Sequence, residues 1–193
     1  MVEFHFSVND VFTSEISAVR SDLVPAGYRG SLNGMSVQQR VSAVLDVMGE
    51  ASAKAQGLKQ PITSGSKMRL SEDQTAYILV DRAGGHNGRG SVVGLLKMGR
   101  KKLFLADDRG ETREMTPLCV LDFYVEEKRQ RTGLGRRLFE HMVGQEGVHP
   151  KYMAVDRPSG KLIAFLKKHY GLVNRVHQVN RRRDVTGLNT DRE

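Results

Sequence analysis

The segment QRTGLGRRLF, residues 130–139, places two glycines and three arginines between an apolar run and a stretch with helical apolar spacing. Glycines at such a junction let the backbone approach a ligand closely, because they carry no Cβ. The free N–H groups of the first helical turn, together with the helix dipole, attract an anion. Arg131, Arg136 and Arg137 add positive charge around the same turn. These residues therefore predict a site for a pyrophosphate.

The spacing of this loop differs from that of two common nucleotide-binding loops. It is not GxxxxGK[ST], because no Lys-Ser/Thr pair follows, and it is not GxGxxG, because Arg137 and Leu138 occupy the later positions. Gln130, Gly133 and Gly135 instead follow the pattern Q/R-x-x-G-x-G/A in the order strand, loop, helix. This pattern resembles the acetyl-CoA pyrophosphate loop of the GCN5-related N-acetyltransferase superfamily. Gly-x-Gly turns before helices also occur for packing alone.

The elements that must position this loop follow from apolar periodicity and from breakers. Six strands are predicted from alternating or continuous apolar residues. They are FHFSV (4–8), TAYILV (75–80), SVVGLLKM (91–98), KKLFLADDRGE (101–111) as far as its turn, PLCVLDFYV (117–125) and KYMAVD (151–156). Helices are predicted from the N-cap Ser36 to about Gly57, around Leu134–Met142, and over SGKLIAFLKKHY. Residues 13–35 are expected to be irregular, since they hold several breakers. The order predicts an α/β (α+β) domain of three layers.

Composition and charge bound the class of protein. The chain has 193 residues, of which 39% are hydrophobic and 27% charged, as in an ordinary soluble domain. The sequence has no apolar run near the roughly 20 residues of a membrane span, and its start lacks the pattern of a secretory signal. The single cysteine, Cys119, fits a reducing compartment. We therefore expect a cytosolic or nuclear protein with no metal site, because the six histidines and the carboxylates are scattered.

The net charge of +8 and the pI near 9.8 favour polyanionic partners. Nucleic acid, an acidic protein surface and a phosphate-rich cofactor are all polyanionic, so the charge does not choose among them. A solvated basic surface with no partner accounts for the same net charge equally well.

Five segments follow one another in the order and spacing of the α-tubulin N-acetyltransferases. They are ASAKAQGLKQPITS, KKLFLADDRGE, PLCVLDFYV, QRTGLGRRLF and VDRPSGKLIAFLKKHYGL. The resemblance covers residues 1–180 and implies a GCN5-related fold, with a central mixed, mostly antiparallel sheet flanked by helices. It implies transfer of an acetyl group from acetyl-CoA to a lysine of α-tubulin inside the microtubule, without a metal. The expected protein is a cytoplasmic, microtubule-associated monomer that binds neither membrane nor nucleic acid.

The resemblance also implies roles for individual residues. The catalytic positions of the family match Gln56, Cys119 and Asp156. A lysine amine, with a pKa of about 10.4, must lose a proton before it attacks. Asp156 is the first candidate for the base and Cys119 the second, while the Gln56 amide is suited to orienting groups by hydrogen bonds. We expect direct attack in a ternary complex, with main-chain N–H groups of residues 123–125 as donors to the oxyanion.

Two segments match the family's cofactor-binding positions, and a lysine pair matches its tubulin-facing surface. The first segment comprises Phe123, Tyr124, Val125, Glu126, Glu127, Lys128, Arg129, Gln130, Arg131, Thr132, Gly133, Leu134, Gly135 and Arg136. The second comprises Ser159, Gly160, Lys161, Leu162, Ile163, Ala164, Phe165, Leu166, Lys167 and Lys168. In the second segment Ser159 and the lysines are expected to contact the pantetheine and the phosphorylated adenosine. The tubulin-facing pair is Lys101 and Lys102.

The C-terminus departs from the family pattern after QVN. Arg181 replaces a second Asn on the substrate side, and RRRDVTGLNTDRE has too few apolar residues for a buried strand. We therefore expect residues 181–193 to form a disordered basic tail and the sheet to lack its last strand. This leaves two further hypotheses. One is a catalytically impaired microtubule-binding protein of the same fold; the other is a nucleic-acid-binding module, which the absence of Trp and of any recognised motif disfavours.

Overall fold

A computed structural model describes residues 4–30, 36–106, 112–156, 158–172, 176–177 and 184–187. In chain order the elements are α1 (Val8–Val11), β1 (Ile16–Val19), α2 (Val37–Ala55), α3 (Gly65–Arg69), β2 (Gln74–Asp81), β3 (Ser91–Arg100), β4 (Leu103–Ala106), β5 (Thr112–Met115), β6 (Leu118–Val125), α4 (Leu134–Glu146), β7 (Ala154–Asp156), α5 (Gly160–Tyr170), β8 (Val176–His177) and β9 (Asp184–Gly187). Two compact units are present, one within residues 1–97 and 122–142 and the other within 98–121 and 143–193. β3, β6 and α4 contribute residues to both units.

The first unit is organised around α2 and the strands β1, β2, β3 and β6, which are adjacent in that order. β1 and β2 are antiparallel, with Ile16 opposite Leu79. The apolar residues of α2 recur every three or four positions, and Val41, Val44, Leu45 and Met48 are buried in the core. This core includes buried residues of β2 and β3. The predicted N-terminus of α2 is confirmed.

α2 begins with a complete capping box. The Ser36 hydroxyl accepts a hydrogen bond from the main-chain N–H of Gln39, and the Gln39 side chain accepts one from the main-chain N–H of Ser36. The two bonds satisfy N–H groups that a helix N-terminus otherwise leaves without partners.

The second unit contains the β4–β5 hairpin and the strands β6, β7, β9 and β8, which are adjacent in that order. β6 and β7 are parallel, with Cys119 opposite Ala154, whereas β9 is antiparallel to both β7 and β8. A small apolar cluster joins Leu103, Cys119, Leu121 and Ala154. The parallel pair is possible because the chain between β6 and β7 includes α4, which is long enough for a crossover. The predicted α/β class with a mixed sheet is confirmed.

Three predicted elements are wrong. Residues 4–7 hold no strand, and α1 begins at Val8. The period-two pattern of FHFSV arises because Phe4 and Phe6 both pack against the core from a loop, while Ser7 caps α1. The region expected to be irregular contains β1, whose four residues alternate between half-buried and buried. In KYMAVD only Ala154–Asp156 is strand, because Pro150–Tyr152 forms a 3-10 turn.

The expectation that the sheet lacks its last strand is also wrong. Residues 185–187 of β9, which spans Asp184–Gly187, pair with all three residues of β7. Strand pairing is made by main-chain groups, so a segment with few apolar side chains can still cover a sheet edge. Residues 181–183 and 188–193, including Arg181, lie outside the described residues, and the domain boundary at residue 180 stays a prediction. Within the described ranges, none of the helices combines the length and the apolar character that a bilayer span requires.

Two helical glycines predict opposite effects of the same substitution. A Cβ at Gly49 of α2 would lie 1.9 Å from the carbonyl oxygen of Thr63, whereas apart from the chain neighbours and the nearby backbone of α4 itself, no described atom lies within 4 Å of a Cβ at Gly144. We expect Gly49→Ala to lower the free energy of unfolding by about 1–3 kcal/mol, since the clash must displace backbone. Gly144→Ala should raise it by roughly 0.5–1 kcal/mol through helix propensity. Urea denaturation measures both; a neutral Gly49→Ala would contradict the close approach of α2 to Thr63.

Candidate active site

The loop between β6 and α4 belongs wholly to the first unit and is closed by its own hydrogen bonds. Gln130 Nε2 donates to the carbonyl oxygen of Val125 at 2.8 Å, and Thr132 Oγ1 donates to that of Arg129 at 2.7 Å. The backbone is left-handed at Arg131 (φ 65°) and at Gly133 (φ 88°). No described atom lies within 4 Å of a Cβ at Gly133, so the glycine is needed for its conformation and leaves open space beside the turn.

An ion pair anchors this loop to the end of β2. Arg129 Nη2 lies 2.6 Å from Asp81 Oδ2, and both side chains are partly buried. The main-chain N–H of Glu126 donates to the carbonyl oxygen of Val93 at 2.9 Å. The guanidinium of Arg129 therefore helps to hold the loop in place, and its predicted contact with a cofactor stays a prediction.

Ion pairs also engage two of the three arginines that suggested an anion site. Arg136 Nε lies 2.7 Å from Glu140 Oε1, one helical turn further along α4. Arg137 Nη2 lies 2.5 Å from Glu15 Oε2, a residue 122 positions away in the chain. Arg131 has an exposed side chain beside the left-handed turn. The positive charge that the sequence predicted is therefore partly neutralised, and Arg131 is the arginine of the three best placed to meet an anion.

A buried polar cluster surrounds Asp122, which the sequence reasoning missed. Asp122 lies on β6 and is 3% exposed. Its Oδ1 accepts hydrogen bonds from Ser52 Oγ at 2.7 Å and from Gln56 Nε2 at 3.1 Å, and its Oδ2 accepts one from Thr63 Oγ1 at 2.6 Å. Gln56 Nε2 also donates to Ser52 Oγ at 2.8 Å. An aspartate inside the apolar run LCVLDFYV was the available signal.

Gln56, a predicted catalytic residue, is the C-cap of α2 and is half-buried. Its main-chain N–H donates to carbonyl oxygens of the last helical turn, those of Ser52 and Ala53. Backbone and amide are therefore both held, the first by the helix end and the second by the Asp122 cluster. Gln56 belongs to the first unit, while Cys119 and Asp156 belong to the second.

Cys119 is fully buried on β6, within the apolar cluster of the second unit. Its Sγ donates a weak hydrogen bond to the carbonyl oxygen of Pro117 at 3.4 Å. Its register partner on β7 is Ala154, and Asp156 follows two residues later as the last residue of β7, opposite Val185 of β9. The side chain of Asp156 lies outside the described residues. The two candidate bases thus stand on adjacent parallel strands, and their catalytic roles stay predictions.

The second predicted cofactor segment forms α5. Ser159 is its N-cap, and its hydroxyl accepts a hydrogen bond from the main-chain N–H of Leu162 at 3.2 Å. Leu166 is buried, whereas Lys161, Lys167 and Lys168 are exposed. The helix ends at Gly171, whose backbone is left-handed. Their contacts with a cofactor stay predictions, as do those of the first segment.

The predicted tubulin-facing lysines lie between β3 and β4, immediately before β4 begins. Lys102 Nζ lies 2.7 Å from Glu114 Oε1 on β5, and both side chains are largely exposed. Lys101 is half-buried, and its main-chain N–H donates to the carbonyl oxygen of Pro117. Exposed ion pairs contribute little to stability, so Lys102 can exchange Glu114 for a partner at small cost. In the described part of the chain, no group of three or more His, Cys, Asp or Glu side chains could hold a metal ion.

Comparisons with known proteins agree over nearly the whole chain. A family model described as GNAT acetyltransferase, Mec-17, matches residues 4–182. Alpha-tubulin N-acetyltransferase 1 of Drosophila melanogaster is 45% identical over 183 residues, which are 93% of this chain and 39% of that protein. Alpha-tubulin N-acetyltransferase of Aedes aegypti is 43% identical over 93% of this chain and 65% of its own length. Alpha-tubulin N-acetyltransferase 1 of Danio rerio is 46% identical over 93% of this chain and 59% of its own length. The chain thus spans 39% to 65% of the length of these relatives.

Tyr124, two residues after Asp122 on β6, gives the site a pH-dependent marker. Burial raises the pKa of its phenol above the ordinary value of 10.0, and the carboxylates of Glu127 and Glu126 raise it further, against a smaller lowering by a hydrogen bond with the Glu127 main chain. Above pH 10 the unfolded chain therefore loses this proton before the folded chain does. The free energy of unfolding should fall as the pH rises from about 10 towards the folded pKa, and the contribution should be constant below pH 10.

We expect Tyr124→Phe to flatten this decline, because it removes the ionising group. Denaturant titrations of wild type and variant between pH 8 and 11 measure the difference, with the exposed Tyr152→Phe as the matched control. Parallel curves for wild type and Tyr124→Phe would show that the Tyr124 pKa is not raised.

Proposed function

The chain belongs to the Mec-17 family of GNAT acetyltransferases, and from this premise we propose that it transfers an acetyl group from acetyl-CoA to a lysine side chain of α-tubulin in microtubules. The observation that carries the proposal is the loop between β6 and α4, with its left-handed turn and the start of a helix. The names of the Drosophila melanogaster, Aedes aegypti and Danio rerio relatives support α-tubulin as the acceptor.

The residues of the loop fit the diphosphate of coenzyme A. Gly133 leaves open space on one side of the turn among the described residues. The first-turn N–H groups of a helix such as α4 point out of its N-terminal end, towards the turn. The exposed Arg131 supplies a guanidinium beside them. Together they can bind a doubly charged group without rearranging. The exposed ammonium groups of Lys161, Lys167 and Lys168 on α5 are candidates for the remaining phosphate.

Acetyl-CoA supplies the acetyl group in activated form, as a thioester. The chain must supply a base for the lysine amine and donors for the carbonyl oxygen that gains negative charge. We assign the base to Asp156 rather than Cys119. The Cys119 thiol is a hydrogen-bond donor to Pro117 among apolar neighbours, an arrangement that suits a neutral group. The main-chain N–H groups of residues 123–125 are the proposed donors.

The partner and the setting belong to the same proposal. The protein acts as a microtubule-associated cytoplasmic monomer, and Lys101 and Lys102 contribute to the surface that meets α-tubulin. The ion pair of Lys102 with Glu114 is exposed, which supports an exchange of partners on docking.

One assay tests this function, with labelled acetyl-CoA and polymerised tubulin. We expect label on α-tubulin with the wild-type chain. Gly135→Trp should raise the KM for acetyl-CoA at least tenfold, because a side chain built there would contact Phe123 and Val125, the end of the strand that leads into the loop, and would crowd the turn. Gly144→Trp, at an exposed glycine of the same helix with open space around it, is the matched control and should leave KM unchanged. Microtubule binding without label would favour the catalytically impaired alternative, and an unchanged KM for Gly135→Trp would refute the loop as the binding site.

The assignment of the base has its own test. Asp156→Asn should lower kcat by about 10²–10⁴-fold, because the amide cannot accept the proton. Affinity for coenzyme A should stay within about twofold of wild type, since the proposed phosphate site does not include Asp156. Cys119→Ala is the comparison variant and should lower kcat far less. The reverse order of the two effects would transfer the role of base to Cys119.

A further inference from the structure

The carboxylate of Asp122 is buried on a strand whose neighbouring residues are almost all apolar, and the chemistry proposed above gives it no task. Burying a charged group is costly unless hydrogen bonds compensate, and an apolar residue of similar size is often no less stabilising. Asp122 accepts three hydrogen bonds, and their donors come from α2 and from the segment before α3. A buried carboxylate that needs three side-chain donors to offset its desolvation suggests a function other than packing.

The hydrogen bonds around Asp122 Oδ1 form a closed ring with a fixed direction. An ionised carboxylate can only accept, so Ser52 must donate its single hydroxyl proton to Asp122. The Ser52 oxygen is then an acceptor towards Gln56. Gln56 Nε2 lies 2.8 Å from Ser52 Oγ and 3.1 Å from Asp122 Oδ1, and these two acceptors are themselves only 2.7 Å apart. They lie too close together for the two diverging N–H bonds to point one at each, so a single N–H is shared between them. The carboxylate thus dictates which end of the Gln56 amide faces inward.

The ring decides what Gln56 can offer to a ligand. With Nε2 held inside the cluster, the carbonyl oxygen Oε1 lies on the other side of the amide and is the acceptor that Gln56 can present. A protonated lysine side chain has three N–H donors and no acceptor, so it matches a carbonyl oxygen and would be repelled by an amide NH₂. If the Gln56 amide were turned over, it would present its NH₂ group, which cannot accept a hydrogen bond from the lysine.

We propose that Asp122 is a positioning residue that fixes the polarity of the Gln56 amide, so that Gln56 Oε1 accepts a hydrogen bond from the substrate ammonium. The inference rests on the proposed acetyl transfer to lysine. It names Gln56 Oε1 as a substrate contact and Asp122, with Ser52, as the group that orients it.

The decisive variants exchange the acid and the amide. Asp122→Asn introduces an NH₂ donor into the cluster, so the direction of the ring is no longer fixed and Gln56 can turn over. We expect its KM for tubulin to rise about tenfold, with unchanged affinity for coenzyme A. Gln56→Glu alone places a second carboxylate against that of Asp122. The two negative charges repel each other, so its KM for tubulin should rise at least as much. The double variant Asp122→Asn with Gln56→Glu lets the asparagine donate to the new carboxylate, which again presents an oxygen outward, and should recover most of the lost KM.

Thr63→Val is the matched control. It removes the donor to Asp122 Oδ2, the oxygen that does not bond Gln56, and leaves the ring intact. We expect it to lower the Tm as Asp122→Asn does, while its KM for tubulin stays within about twofold of wild type. Equal KM values for Asp122→Asn and wild type, or equal increases in Asp122→Asn and Thr63→Val, would reduce Asp122 to a stabilising residue. Absence of label with the wild-type chain would instead refute the acetyl transfer itself.

A measurement on the wild-type chain keeps the inference testable if a variant fails to fold. One side-chain amide proton of Gln56 is the donor shared between Ser52 and Asp122, so its exchange with solvent, followed by NMR, should be slower than that of the exposed Gln145. Exchange as fast as in Gln145 would overturn the fixed polarity, whatever the activity.

Discussion

The turn from β6 into α4 is the constraint on which the proposed site depends. The chain must leave a buried strand and begin a helix within eight residues, and it does so through left-handed backbone at Arg131 and Gly133. A left-handed conformation costs a non-glycine residue roughly 1–2 kcal/mol, so the hydrogen bonds of Gln130 and Thr132 and the ion pair of Arg129 with Asp81 are needed to hold the loop. What results is a rigid turn whose helical N–H groups are oriented before any ligand arrives.

β6 leads into the loop and also holds three residues with polar or reactive side chains. Cys119, Asp122 and Tyr124 lie on this one strand, and each has a different environment: apolar neighbours, neutral hydrogen-bond donors, and carboxylates respectively. The buried Asp122 costs stability that an apolar residue would not, which is typical of residues retained for function rather than for packing. Because its donors belong to α2 and to the segment before α3, a helix distant in sequence is tied to the strand that precedes the loop.

The sequence predicts the local features well, because they depend on residues close together in the chain. The spacing of Val41, Val44, Leu45 and Met48 with the Ser36 cap predicts α2, and the glycines predict the loop. Features that depend on distant residues are not predictable in this way. The partner of Arg137, Glu15, is 122 positions away, and the donors to Asp122 are 59 to 70 positions away. The alternation of Phe4 and Phe6 misleads because both rings pack from a loop, and β9 was missed because strand pairing does not require apolar side chains.

The central claim is that the turn between β6 and α4 binds the diphosphate of coenzyme A. Isothermal titration calorimetry of the wild-type chain with coenzyme A at two salt concentrations tests it most directly. We predict saturable heat with one site per chain and an affinity that falls as salt rises, because charged groups on both sides must be matched. A titration without saturable heat at either salt concentration would contradict the account.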